Sequence, residues 1–129
     1  MIGGAAARLL VARMLVCVAF ALAATVASAT EFQGLTISKI RAVGDYNGTT
    51  FDDTLELWFS APLAMPAGSP CTTTYRVYAN AQKSQLVVAS YLALTKGKKV
   101  TINVDESLPI RAGACEISYI DVEAGTPSP

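Results

Sequence analysis

The sequence contains no histidine. Ser-His-Asp and Cys-His catalysis, which need an imidazole as general base, are therefore excluded, as are histidine-ligated metal sites. Carboxylate pairs do occur, at Asp52-Asp53 and Asp105-Glu106. Neighbouring residues on a strand point to opposite faces, so neither pair is a ready acid/base dyad, and both read as solvated strand ends. Asp45, Asn47, Asp52 and Asp53 could supply oxygen ligands, but the stretch lacks EF-hand spacing and an acidic twelfth position. The expectation is a protein that is not an enzyme and uses no metal and no cofactor.

An apolar run long enough to cross a bilayer is lacking too. Arg8 and Arg13 precede MLVCVAFALAA, and Ala27-Ser28-Ala29 supplies small residues for a signal peptidase. This run ends short of the ~20 residues a span requires, so residues 1–29 read as a cleaved secretory signal that takes Cys17 with it. No stable membrane span is expected after cleavage, and the protein is expected to be secreted or periplasmic. Removing Arg8 and Arg13 from the ten basic residues leaves eight against ten acidic ones. Nothing in that balance attracts nucleic acid. Cys71 and Cys115 remain, an even pair in an exported chain, and a disulfide is the default reading over two free thiols or a metal pair. Closing that loop is worth about 4 kcal/mol in the chain-entropy account.

Residues 30–124 form one small domain, followed by a tail over 125–129 expected to be disordered. A first strand is expected over LTISKIRAV (35–43), where Ile37 and Ile40 break alternation and predict a bulge near Lys39. Asn47-Gly48 signals a hairpin turn, and DTLELWFSA (53–61) gives a second strand with Leu55, Leu57 and Phe59 on one face and Glu56 and Trp58 on the other. Three prolines make residues 62–70 a loop. CTTTYRVYANA (71–81) reads as the third strand. Ser84 is the expected N-cap of a helix that is apolar nearly all round from Leu86 to Leu94 and stops at Gly97 in the left-handed conformation. Val100, Ile102 and Val104 alternate in a fourth strand, and CEISYIDVE (115–123) is the fifth. Mainly β with one helix, in the order β-β-β-α-β-β, the chain is predicted to be a five-stranded OB-fold barrel with one disulfide.

The run Tyr91 to Ile102, the glycine-to-strand junction at Gly97, the secretion signal and Phe32-Gln33-Gly34 at the start of the first strand resemble the OB-fold B subunits of AB5 toxins, in particular the subtilase-cytotoxin type. The resemblance implies a glycan-recognising, non-enzymatic binding module that forms rings. Gln33 stands where that family carries a sugar-binding serine, and it is a candidate ligand residue by that correspondence. From the residues themselves, a site at the barrel mouth would use Tyr46 and Asn47 of the first loop with Glu106 and Arg111 of the loop between strands four and five. Trp58, Tyr75 and Tyr78 are further stacking candidates, although packing is the commoner fate of strand aromatics. The alternative function is that of a periplasmic structural or stress-related OB protein that binds a protein partner or a cation. The surplus apolar surface of the helix predicts a homo-oligomer packed through Val87, Tyr91 and Leu94.

Overall fold

A computed structural model describes residues 29–125. The expected signal segment over residues 1–28 and the tail residues 126–129 lie outside the described residues. The elements are β1 (Ala29–Val43), β2 (Thr54–Phe59), β3 (Arg76–Asn80), α1 (Ser84–Lys96), β4 (Lys99–Asp105) and β5 (Glu116–Val122). The fold is mainly β with one helix, in the predicted order.

The five strands form one mixed sheet that returns on itself in the order β1-β2-β3-β5-β4. β1 makes this possible because it serves two neighbours. Ala29 to Thr36 pair with β4, and Ile37 to Val43 pair with β2. Between them the register shifts at Ile37/Lys39, the bulge expected from the broken alternation, and it shifts again at Phe32/Leu35 around Gly34, whose φ of 66° only glycine adopts cheaply. Two irregularities bend one long strand from one edge of the ring to the other. β1 is longer than the predicted stretch because Ala29 to Phe32 pair with β4, with Phe32 partly buried against the core. All pairings are antiparallel except that of β3 with β5, a single parallel bridge between Tyr78 and Glu116.

β4 alternates buried Val100, Ile102 and Val104 with half-exposed partners, as its period-2 pattern requires. These side chains meet Leu55, Leu57, Val77 and Ile117 in the interior. β3 is shorter than the predicted stretch. Residues 71–74 stay outside the ladder before Tyr75, whose carbonyl still accepts from Phe59 N–H at 3.1 Å: Thr72 and Thr73 donate their N–H groups to the Gly113 carbonyl (2.9 and 3.1 Å) and Cys71 is tied to Cys115. The predicted disulfide is thus present, both cysteines are buried, and their Cα atoms stand 5.5 Å apart.

α1 begins at Ser84 itself, one residue earlier than an N-cap at Ser84 would place it. Lys83 occupies the N-cap without a side-chain bond, and the turn is held instead by Lys83 N–H to Asn80 O and Gln82 N–H to Asn80 Oδ1, both 2.9 Å. Leu86, Ser90 and Ala93 form its buried stripe. Ser90 tolerates complete burial because its hydroxyl donates to the Leu86 carbonyl at 2.6 Å. At the far end Gly97 takes the left-handed conformation (φ 60°, ψ 31°), and Lys98 N–H closes back on Ala93 O at 2.9 Å. β4 starts two residues later. Among the described residues no helix is long and apolar enough to cross a membrane.

Candidate functional site

Register builds the site. On the outer surface of β1, β2 and β3, Lys39 lies opposite Trp58 and Trp58 opposite Arg76; in the next row Arg41 lies opposite Glu56 and Glu56 opposite Tyr78. Directly opposed residues share a face, and each strand contributes residues two apart, so both rows lie on one surface. Lys39 Nζ stands 3.8 Å from the centre of the Trp58 ring, with the Arg41 and Arg76 guanidinium carbons at 5.0 and 5.7 Å. Three cations therefore surround one indole within cation–π range.

Among the described residues one carboxylate, that of Glu56, pairs with two of them. The Glu56 side chain is 3% exposed and meets Arg76 Nη1 at 3.1 Å and Arg41 Nη1 at 3.4 Å. A buried carboxylate requires such partners, and Glu56 sits beneath the cations rather than beside them. Arg76 also donates Nη2 to the Ala112 carbonyl at 3.0 Å, which fixes its guanidinium. Arg41 leaves 56% of its side chain in water.

Two clefts flank the rows. Arg41, Val43, Tyr46, Phe51 and Glu56 line one of about 420 Å³. Trp58, Thr72, Thr73, Thr74, Tyr75 and Arg76 line the other, of about 380 Å³. Each holds one exposed phenol ring, Tyr46 at 60% and Tyr75 at 54%.

A second cluster closes the surface beyond Arg41. The Tyr78 hydroxyl donates to the Pro109 carbonyl, Glu116 Oε2 is 3.2 Å away, and Lys83 Nζ reaches Glu116 Oε1 at 2.8 Å. The Arg111 guanidinium lies 5.3 Å from the Tyr78 ring centre. Burial, reinforced by the Glu116 carboxylate, pushes the Tyr78 phenol up to about 12. These groups are committed to each other and pin the β4–β5 loop to the sheet.

The sequence-derived site residues are distributed unevenly. Tyr46 lines the larger cleft. Asn47 (φ 58°) and Gly48 (φ 68°) are the left-handed pair of the hairpin turn, so Asn47 shapes the loop. Arg111 Nη1 donates to the Asp52 carbonyl at 2.6 Å, joining the β4–β5 loop to the β1–β2 loop. Glu106 instead accepts from Ser69 Oγ at 2.6 Å, facing the proline-rich loop. Gln33 lies on the other half of β1, where its amide bonds Glu31. Hydrogen bonds from Tyr119 first and Gln33 second hold the Glu31 carboxyl below the ordinary carboxylate range.

Sequence reasoning missed Lys39, Arg41, Glu56 and Arg76. Their signal was a polar or aromatic residue at every second position of three successive strands, and it becomes legible only when register aligns them. No group of three or more metal-ligating side chains occurs among the described residues. No protein-family profile, curated protein or solved structure matches the chain.

Val87 and Leu94, expected at an oligomer interface, are half-buried against the chain's own core, while Tyr91 stays exposed. The stripe Leu86, Ser90 and Ala93 turns their side inward. The most exposed apolar side chains of α1 are Val88 at 66% and Leu92 at 50%.

Proposed function

We propose that the protein is a secreted or periplasmic, non-enzymatic binding module with an OB fold, and that it recognises a glycan on the outer β1-β2-β3 surface. The helix between β3 and β4, the long bent β1 shared by β2 and β4, and the parallel β3–β5 closure support the OB assignment. The likeness to AB5 B subunits gains a physical reason at Phe32-Gln33-Gly34: Phe32 packs on the core, and Gly34 supplies the positive φ of the strand irregularity.

The observation that carries the glycan reading is the placement of Tyr46 and Tyr75. Each is an exposed ring in a concave site beside polar groups, Arg41 and Glu56 on one side and Thr72 to Thr74 on the other. Sugars offer apolar C–H faces to such rings and hydroxyls to such groups. The test is a glycan array probed with the exported protein. A defined set of glycans should bind, and Tyr46→Ala and Tyr75→Ala should each weaken that binding about tenfold. Binding that neither substitution changes would remove the glycan site from this surface.

The second reading, a structural protein that binds a partner and no sugar, is favoured by the uncharged strip of Ser84, Gln85, Val88, Ala89 and Leu92 on α1. The occupant we propose for that strip is a second copy of the chain.

A further inference from the structure

We propose that the ligand is a glycan carrying anionic groups on successive residues, with Lys39 and Arg41 each meeting a separate carboxylate or sulfate. This rests on the glycan reading of the β1-β2-β3 surface and narrows its ligand class.

The chain beyond residue 29 has more acids than bases, so a cationic surface on it is a local arrangement rather than a consequence of composition. Lys39, Arg41 and Arg76 share that surface with one carboxylate, and Glu56 lies buried beneath them. Arg76 is committed to Glu56 and the Ala112 carbonyl. Arg41 gives Glu56 a single 3.4 Å contact and keeps its other donors toward solvent. Lys39 Nζ stands over Trp58 and makes no ion pair among the described residues.

The free positive charge is therefore that of Lys39 and Arg41. Two residues apart on one strand, their backbones are about 7 Å from each other. Anions on neighbouring units of a chain would give each of these two exposed cations its own partner. The Trp58 ring lies within cation–π range of both and shields part of each cation from water, which strengthens its attraction for an anion. Among the described residues, none of the β1–β2 loop acids Asp45, Asp52 and Asp53 forms an ion pair with Lys39 or Arg41. The clefts holding Tyr46 and Tyr75 continue the surface to both sides, which suits a chain better than a single sugar.

The test measures binding of the full-length exported protein to four hexamers at two salt concentrations: a heparin hexasaccharide, an oligogalacturonate, chitohexaose and oligothymidylate. The heparin and galacturonate arms separate sulfate from carboxylate. We expect at least one of these two to bind, more weakly at higher salt, and to lose about tenfold or more in affinity in the Lys39→Gln/Arg41→Gln variant. Both side chains are exposed, and an unchanged circular dichroism spectrum confirms that the variant is folded. Chitohexaose binding as tightly as the anionic saccharides would overturn the inference and leave the glycan reading standing. Oligothymidylate binding as tightly as either would also overturn it, because charge alone would then suffice. Failure of all three saccharides to bind would remove both.

Discussion

Tyr78 couples the fold to pH. Its folded pKa of about 12 stands above the ordinary phenol value of 10.0, so the neutral ring stabilises the fold at every pH below ~10 and that contribution is lost as pH rises toward 12. Tyr78→Phe removes the ionisable group along with its bond to Pro109. The variant should melt lower than the wild type at neutral pH but lose less of its melting temperature between pH 10 and 12. Parallel melting profiles across that window would show that Tyr78 does not control alkaline stability. On the acid side, Glu31 and Asp105 are both held below the ordinary range by hydrogen bonds, from Tyr119 and Gln33 in one case and from Ser107 in the other. Their contributions are present above pH ~4 and fade as pH falls; both are exposed, so the loss is small.

Two glycines of positive φ differ in kind. Gly97 and Gly113 both have positive φ, yet a Cβ on Gly97 would meet nothing, whereas one on Gly113 would collide with the Thr72 hydroxyl. Gly97→Ala should therefore cost only conformational strain, about 1 kcal/mol, and Gly113→Ala distinctly more, because the Thr72 and Thr73 bonds to its carbonyl would be displaced as well. Urea denaturation midpoints of the two variants provide the comparison, and equal losses would refute it. The same contrast explains what the sequence could reveal. Gly97 follows an apolar helix and precedes strict alternation, so its capping role was readable locally, as were the β1 bulge and the core face of β4. The end of β3, the burial of Glu56 and the row Lys39-Trp58-Arg76 depend on which strands lie side by side, and no local pattern carries that. The helix wheel likewise showed apolar residues on every side; only packing on β1 and β5 decided that Val87 and Leu94 turn inward and Val88 and Leu92 outward.

For the whole molecule, that orientation moves the proposed self-association surface. Val88 and Leu92 lie four residues apart on one uncharged side of α1, and covering them with a second copy would remove apolar area from water at about 25 cal/mol per Å². Light scattering at micromolar concentration should give a multimeric mass, and Leu92→Glu should reduce it to that of one chain without altering the melting temperature of the domain. A monomeric wild type would end this proposal and leave the strip free for a different protein.

The lone parallel bridge between β3 and β5 has a kinetic consequence. A ring joined on four sides by ladders and on the fifth by a bridge opens where joining is sparsest, and here the Tyr78 N–H to Cys115 carbonyl bond of 3.0 Å lies beside the disulfide that holds the two segments together. With the disulfide intact, separating these strands requires much of the sheet to open at once. Once it is reduced, they can part while the β1–β4 ladder stays whole. Hydrogen exchange should therefore show the Tyr78 amide as slow as those of β4 in the oxidised protein and among the first strand amides to exchange after reduction, so that the thiol state sets where unfolding begins.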